Sequence, residues 1–427
     1  MKVGIFALAT QMCPTVLVPG FGFNKVYLDN TQTTAWPPVM DESTLQKDLL
    51  GVLMKMSIFR KDAGFSSKVA SMLSDVCAPF AAADDGTLKN DARLFAADTL
   101  ASPMTSEEYT ALCRLLPLEA LSTVCPKEQI FLFTCVFARD PLENGEQLEQ
   151  FIERVCEQTG SEKVNLLSIG CGCTAVTAYL ASERSTARLE RLVYCYAPLD
   201  GTLLMTDLLL DSLDYTKCKH TLREYMSEQD GKMFIELDGM IPGLLENVFD
   251  KSLTVLREAL LNLPAAWALV PSDDYPDLRD ELTQGKDRLR ERTDAFHEKR
   301  STLPQTLARL REHGAFVALV SGMHLRLPPV CLSQDVISDS IVHTASSALN
   351  PSVTETADPQ TEAVNTAAAY FPDTTWYIDG VPHMKALRSE AVTSLLCRLL
   401  SEDVQTLAAD EHKIISPLFS NNSKGEE

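Results

Sequence analysis

The stretch that decides the fold of this 427-residue chain runs from Lys163 to Leu180 and reads KVNLLSIGCGCTAVTAYL. Its first part, Val164–Ile169, is mainly apolar, as expected for a strand that is covered on both faces. Gly170, Cys171 and Gly172 follow as a turn, and residues 175–181 have helical spacing. The stretch therefore predicts a buried strand that bends sharply, through glycines, into a helix.

Other apolar runs on either side of this stretch predict further strands, at Thr15–Val18, 130–137, 192–196, 316–321 and 375–378. Helical patterns alternate with these runs. One spans residues 144–160, with Asn144 as its cap and Gly160 as its stop, and another closes the chain at 387–400. Alternating strands and helices predict an α/β fold with a mostly parallel, doubly wound sheet.

Two long segments break the alternation. Residues 40–125 and 203–312 carry mainly helical patterns, and we interpret the charged run at 281–300 as a solvated helical face. Insertions of this length inside an α/β sheet usually form lids over the strand ends. We therefore predict a core of residues 1–202 and 313–427, a helical insertion near 40–125, and a helical lid at 203–312.

The charge of the chain excludes some classes of partner. It has 38 Lys and Arg residues against 59 Asp and Glu residues, which gives a formal net charge of −21 at pH 7. This excess of acid argues against a nucleic acid or an anionic membrane surface as the main partner. Because no stretch approaches 18 consecutive apolar residues, we expect no transmembrane segment.

The cysteines and the N-terminus bear on the cellular compartment. The 12 cysteines are irregularly spaced, many of them in apolar surroundings, which favours buried reduced thiols over a disulfide framework. No spacing typical of a metal site or a phosphate-binding loop occurs, so we expect no metal and no cofactor. The apolar run at residues 3–9 is short for a signal peptide, so we favour the cytoplasm and keep export as the alternative.

Strand, glycine-rich turn and helix are the context of the nucleophile elbow, G-x-S-x-G, in which backbone N–H groups can stabilise an oxyanion. Here the chain resembles the α/β-hydrolase family, and within it the lipase-like group related to lecithin:cholesterol acyltransferase. Further similar segments follow in the family's order: PTVLVPGFG (14–22), AWPP (35–38), FAR (137–139), VYCYAPLDGT (193–202), SDSIVHTAS (338–346) and DGVPH (379–383). The resemblance implies an α/β-hydrolase fold with a helical lid, and chemistry on an acyl group of a lipid or small ester.

The same resemblance implies an acid and a base. Asp339 would orient an imidazole and stabilise its cation, and His383, in a Gly-Val-Pro-His turn, would be that imidazole. Asp335 is the alternative acid, and His343 the alternative base. An ordinary helix cap at Asp339 and an ordinary surface turn at His383 are the structural alternatives to these roles.

The resemblance also implies oxyanion donors and an acyl pocket. The backbone N–H groups of Phe21 and Cys171 would be the donors, and Gly20 and Gly22 would let the backbone approach a ligand closely. Trp267 lies in a segment that resembles a lid of the family, where an aromatic side chain lines the acyl pocket or packs in the core.

One position departs from the family pattern. When the stretch is laid on the motif, Gly170 takes the place of the nucleophile, and glycine has no side chain that could attack an acyl carbon. Three hypotheses follow. The protein is a degenerate member that binds a lipid or acyl ligand; or Cys171 is the nucleophile of an active esterase, lipase or acyltransferase, with a thiol pKa depressed at the helix N-terminus; or Asp339 and His383 activate water. We favour the first hypothesis and expect a small acyl or lipid molecule as the partner.

Overall fold

The computed structural model of the protein describes residues 13–21, 25–29, 33–38, 56, 60–96, 112–113, 115–182, 185–218, 236, 239–333, 335–353, 356 and 358–416. Gly22, the N-terminal run at residues 3–9 and most of the helical patterns at 44–56 and 106–116 lie outside this part of the chain.

The described part of the chain contains ten strands, which belong to two sheets. In chain order they are Thr15–Val18 (β1), Val26–Leu28 (β2), Thr33–Trp36 (β3), Leu94–Ala96 (β4), Ile130–Leu132 (β5), Val164–Ile169 (β6), Leu189–Cys195 (β7), Phe316–Met323 (β8), Thr375–Asp379 (β9) and Ile414–Ile415 (β10). Seven of them form a sheet in the order β10-β9-β8-β7-β6-β1-β5, and the pairings in this sheet are parallel. The predicted α/β architecture with a parallel sheet is confirmed.

Helices connect the strands. They are Phe65–Cys77 (α1), Leu118–Leu121 (α2), Pro141–Thr159 (α3), Cys173–Leu180 (α4), Ser185–Arg188 (α5), Leu203–Leu209 (α6), Tyr215–Cys218 (α7), Leu244–Leu260 (α8), Pro264–Trp267 (α9), Tyr275–Leu282 (α10), Asp287–Ser301 (α11), Leu303–Glu312 (α12), Thr344–Ser347 (α13), Glu390–Ser401 (α14) and Val404–Ala408 (α15). Short 3₁₀ turns include Gly170–Gly172 and His383–Arg388.

Both faces of the seven-stranded sheet are covered. Side chains of α3, α4 and α12 share one apolar cluster with Leu166, and side chains of α2 and α14 share another with Leu167. Adjacent residues of β6 enter opposite clusters because successive side chains of a strand point to opposite faces. Since the strands are parallel, the segments that follow β1, β6, β8 and β9 leave from the same edge of the sheet.

The predicted strand at 130–137 is wrong in its length, because β5 ends at Leu132. The Phe133 N–H still donates to the carbonyl of Leu17, but the side chains of Phe133 and Cys135 then enter the core, and the Asn144 amide donates to the carbonyl of Val136. After Phe133 the segment therefore leaves the sheet, and the Val136 carbonyl is satisfied by Asn144 and by the Arg139 N–H.

Two further predictions are corrected. The insertion near 40–125 is not wholly helical, because β4 within it pairs with β2, and β2 with β3, to form a small antiparallel sheet. The cap of α3 is Asp140, whose carboxylate accepts from the Leu142 N–H, and not Asn144; the stop at Gly160 is confirmed by its left-handed φ of 70°. Pro141 at the first helical position explains the earlier start, because its fixed φ suits that position and its missing N–H is not needed there.

The charged run at 281–300 is not a wholly solvated face. The run breaks near Gly285, which has a φ of 74°, and in α11 the side chains of Leu289, Phe296, His297 and Arg300 are buried. The next helix, α12, packs on the seven-stranded sheet through Leu303, Leu307 and Leu310, although the predicted lid included it.

Candidate functional site

The turn after β6 is tight and is held by a close approach of two backbone segments. Gly170 has a φ of 51°, in the left-handed region that favours glycine. A Cβ atom on Gly172 would lie 2.3 Å from the carbonyl oxygen of Val18 and 2.9 Å from that of Pro19. The end of β1 therefore lies directly against the turn.

Asp339 and His383 meet beside this turn. The Nδ1 atom of His383 is 2.8 Å from Oδ2 of Asp339, and the His383 backbone N–H donates to the Asp339 carbonyl at 2.7 Å. The Asp339 side chain is fully buried, and its Oδ1 accepts from the backbone N–H groups of Ile341 and Val342 at 2.9 and 2.7 Å. The carboxylate is thus fixed on both oxygens, and its contact with Nδ1 orients the Nε2 atom of the ring.

The charge of this pair favours the imidazolium form. Burial alone would lower the pKa of His383, but the Asp339 carboxylate, through its charge and its hydrogen bond, outweighs burial and raises that pKa above 6.5. Tyr196, which has a φ of 52°, packs edge-on against the imidazole with 5.9 Å between ring centroids. Its hydroxyl donates to the Val381 carbonyl at 3.3 Å.

The imidazole of His383 faces Gly170. A Cβ atom built on Gly170 would lie 3.6 Å from Nε2 of His383, with no other described atom, apart from chain neighbours, within 4 Å. The structure thus brings Gly170, Asp339 and His383 together, with open space where a side chain at position 170 would stand.

Cys171 is directed elsewhere. Its sulfur accepts a hydrogen bond of 3.0 Å from the backbone N–H of Phe21, and a Cβ atom on Gly20 would lie 3.0 Å from that sulfur. Burial raises the pKa of the Cys171 thiol, and the N–H groups of Phe21 and of Cys171 itself only partly oppose that effect. The expected depressed pKa is therefore wrong, because desolvation of the thiolate dominates at this position.

A cavity of about 520 Å³ opens next to the turn. Its lining includes Gly20, Phe21, Cys171 and Gly172. Helices α1 and α8 also line the cavity, through Leu73, Val76, Leu256, Ala259 and Leu260. Among the described residues that line it, the polar side-chain groups other than thiols are the Asn144 amide, the Thr174 hydroxyl and the indole N–H of Trp36, which is buried without a hydrogen-bond partner. Such an apolar space with few polar groups is typical of a site for an apolar small molecule.

Four aromatic side chains of the described residues line this cavity, and among them only Phe21 had been assigned to the site from the sequence, through its backbone N–H. Phe21 lies 4.6 Å from Trp36 and 4.6 Å from Phe137 between ring centroids, and Phe80 lies 4.8 Å from Phe137. Trp36 and Phe137 belong to segments that carried the family resemblance, so the sequence held a signal that could have assigned them to the site. Nothing in the sequence around Phe80 singles it out.

Trp267 does not line the cavity, so its predicted ligand-binding role is wrong. Its side chain is fully buried in a cluster with Leu209, Val270 and Tyr275, and its indole N–H donates to the Leu261 carbonyl at 2.9 Å. The core-packing alternative applies, because a buried indole N–H needs such a partner.

The alternative acid and base have other surroundings. Asp335 pairs with Arg326 at 2.6 Å between carboxylate and guanidinium. Burial lowers the pKa of His343, and its Nδ1 atom is buried without a hydrogen-bond partner. Neither residue contacts His383 through a hydrogen bond in the described part of the chain.

No protein-family model and no curated protein matches this chain. Within the described ranges, none of the helices has the length and apolar character needed to cross a membrane. No group of three or more His, Cys, Asp and Glu side chains there is arranged to hold a metal ion. The cysteines with described side chains are free thiols.

Proposed function

We propose that this chain has an α/β-hydrolase fold of the lipase-like kind without its nucleophile, and that it binds a lipid or acyl ligand in the cavity without cleaving it. One observation carries the proposal: the residue that faces Nε2 of the Asp339–His383 pair is Gly170. A general base next to glycine has no side-chain proton to abstract, so the covalent route of this reaction is closed.

The topology supports the fold assignment. The turn follows β6 near the middle of the sheet, and the acid and the histidine come from the segments after β8 and β9. The chain order of turn, Asp and His is that of α/β-hydrolases. The segment after β1, which carries Phe21, lies against the turn, where this fold places an oxyanion donor.

Cleavage by Cys171 is supported less well. A cysteine nucleophile needs a base within hydrogen-bonding reach and a pKa that favours the thiolate. The sulfur of Cys171 instead accepts from the Phe21 N–H, one of the groups that an oxyanion would need, and burial raises its pKa. In this place the sulfur competes with a substrate oxyanion for the Phe21 N–H, and it does not attack the substrate carbonyl.

Ligand binding is tested directly with the purified chain. We expect a fluorescent acyl probe to bind with one site per chain and the thermal midpoint to rise with ligand concentration, because the ligand binds only the folded state. Absence of binding for acyl probes of several lengths and head groups would contradict the proposal.

Loss of catalysis is tested by restoring a hydroxyl at the turn. We expect the wild type not to hydrolyse p-nitrophenyl esters, and Gly170→Ser to exceed Gly170→Ala by on the order of 10²-fold, because only serine offers His383 a proton to accept. Gly170→Ala is the matched control for strain at a positive φ. Turnover by the wild type would contradict the proposal: its loss in Cys171→Ala would identify a cysteine enzyme, and its loss only in His383→Gln would identify water activation.

A further inference from the structure

Two side chains that line the cavity carry a polar atom without a hydrogen-bond partner in the described part of the chain. They are Asn144, whose Oδ1 atom accepts from no donor, and Trp36, whose indole N–H donates to no acceptor. Both atoms are shielded from bulk water, so solvent does not replace the missing partner. A buried polar atom without a partner is unfavourable, and in this cavity a ligand can supply the partner.

The sequence of α3 marks Asn144 as an exception. It lies on the apolar face of this helix, four residues before Leu148 and eight before Ile152, and both of these side chains are buried. Asn144 is itself buried, with an exposed fraction of 4%. Its amide NH₂ group donates to the Val136 carbonyl at 3.2 Å, and because a carbonyl can only accept, the amide oxygen is the unused end of the group. Asn144 therefore offers an acceptor and needs a donor.

Trp36 offers the complementary group, because an indole N–H can only donate. Its ring lies 4.6 Å from that of Phe21 and 5.7 Å from that of Phe137 between centroids, so aromatic packing holds the indole in place. Phe137 directly follows Val136, whose carbonyl accepts from the Asn144 amide. The side chains that carry the unused donor and the unused acceptor thus contact the same short segment of the chain.

The lining offers no charge to a ligand. Among the described residues that line the cavity there is no Lys, Arg, His, Asp or Glu. Burial raises the pKa of the thiols of Cys77, Cys135 and Cys171, which keeps them neutral. The hydroxyl of Thr174 donates its proton to the Cys171 carbonyl at 3.0 Å. Because an ionised group would lose its hydration here without a charged partner, the lining selects an uncharged polar group.

A hydroxyl is a small uncharged group that both donates and accepts. We infer that the cavity binds an uncharged lipid with a free hydroxyl group, whose proton is donated to Oδ1 of Asn144 and whose oxygen accepts from the indole N–H of Trp36. This inference rests on the proposed function and adds the polar group of the ligand to it. An ether accepts from Trp36 but has no proton for Asn144, so it is recognised less well.

The test measures how 1-dodecanol, dodecyl methyl ether and dodecane compete with a fluorescent acyl probe for the full chain. We expect Asn144→Leu, a change of similar size, to weaken binding of the alcohol about tenfold, because the hydroxyl proton is left unpaired. Binding of the ether and the alkane should not weaken. Trp36→Phe should weaken the alcohol and the ether about fivefold relative to the alkane, which corrects for the lost volume of the ring.

Asn165→Leu is the matched control. Asn165 is also buried with an unpartnered Oδ1 atom, but it belongs to β6 and does not line the cavity. This variant should leave the relative affinities for the three compounds unchanged. A selective loss of alcohol binding as large as that in Asn144→Leu would overturn the inference.

The remaining outcomes separate the inference from the function on which it rests. If the wild type binds these compounds but neither variant changes the affinity for the alcohol relative to the alkane, the hydroxyl contact is overturned and an apolar binding protein remains. A change in only one variant would overturn the two-point contact. Failure of all three compounds and of the acyl probe to bind would contradict the proposed function itself.

A second measurement keeps the test decisive if Asn144→Leu does not fold. The indole N–H signal of Trp36, assigned in the NMR spectrum by its loss in Trp36→Phe, reports directly on a new acceptor. We expect this signal of the wild type to shift further downfield with the alcohol and the ether than with the alkane. Equal shifts with all three compounds would overturn the inference.

Discussion

Gly172 is a glycine that the backbone requires. A Cβ atom at this position would come within 2.3 Å of the Val18 carbonyl oxygen, and only a shift of β1 or of the turn could relieve that contact. We expect Gly172→Ala to lower the free energy of unfolding by about 2 kcal/mol or more, the usual cost of overpacking, as measured by urea denaturation. Gly239→Ala is the control, because no atom of the described residues lies within 4 Å of its Cβ position, its chain neighbours aside. Equal stability of both variants would contradict the close approach.

Gly170 is different, because a Cβ atom would have room at this position. Its Cβ position is open apart from His383, and the cost of a side chain is that of the positive φ, roughly 1–2 kcal/mol. Tyr196 has a φ of 52° close by, so the fold already accommodates a larger residue in this conformation. A serine at position 170 is therefore structurally feasible, at the cost of the strain that glycine avoids.

His383 depends on Asp339 for its charge. In the wild type its pKa lies above the unfolded value, so the ion pair stabilises the fold fully below about pH 6.5, and this stabilisation is lost as pH rises through the folded pKa. We expect Asp339→Asn to bring the pKa of His383 below 6.5, because burial is then unopposed. Titration of the imidazole Cε1–H signal by NMR measures the change. An unchanged pKa would show that another group sets the charge.

At the scale of elements, α11 fixes the segment after α9. The Nε2 atom of His297 lies 2.9 Å from the Trp267 carbonyl, and its ring stacks on Tyr275 with 3.4 Å between centroids. Arg300 donates to the carbonyls of Ala268 and Val270 at 3.0 and 2.7 Å. Two buried polar side chains, one turn apart on α11, thus hydrogen-bond to the backbone carbonyls at and after the end of α9.

This arrangement makes the fold sensitive to acid. Burial, together with the charge of Arg300, lowers the pKa of His297 to about 3. The unfolded chain takes up a proton near pH 6.5 that the folded chain does not, so stability contributed by neutral His297 falls as pH drops from about 6.5 toward 3. We expect His297→Gln to reduce the slope of unfolding free energy against pH in this window. His313→Gln, at an exposed position, should leave the slope unchanged, and equal slopes in all three proteins would contradict the prediction.

The sequence predicted the elements whose signals are local. The bounds of Thr15–Val18 and Val164–Ile169 are confirmed, because each is a short apolar run that ends at proline or glycine. The small sheet could not be predicted, because Leu94–Ala96 finds its partner in Val26–Leu28, far away in the chain, and its own three residues carry no periodicity. Burial of Arg300 and His297 was missed because their partners are carbonyl groups, which leave no trace in side-chain patterns.

The same distinction holds at the site. The juxtaposition of Gly170, Asp339 and His383 was predictable, because parallel strands bring their following segments to one edge of the sheet. The raised pKa of Cys171 was not predictable from the sequence. That pKa depends on how deeply the sulfur is buried, and the position of Cys171 in the turn does not determine its burial. Phe80 lines the cavity and Trp267 does not, because packing decides which aromatic side chain reaches it.

At the scale of the whole molecule, the cavity is enclosed by parts of the chain that are distant in sequence. Helix α1 comes from the insertion between β3 and β4, and α8 from the one between β7 and β8. They are joined by Lys251, whose ammonium group donates to the hydroxyls of Ser66 and Ser67, both at 2.8 Å. The lining also includes Val18 of β1 and the turn after β6, so the proposed ligand would contact the core and both insertions together.

Because α8 lines the cavity, a larger side chain on this helix should reduce the space for a ligand. Ala259 of α8 lines the cavity, whereas its neighbour Glu258 is exposed. We expect Ala259→Phe to weaken binding of a long-chain acyl ligand by about tenfold, since the ring displaces the equivalent of about two methylenes at about 0.8 kcal/mol each. Thermal unfolding without ligand should show a protein at least as stable as the wild type, because the ring fills empty space. Glu258→Phe adds the same ring outside the cavity and should leave affinity unchanged. If both variants bind like the wild type, the acyl chain lies elsewhere.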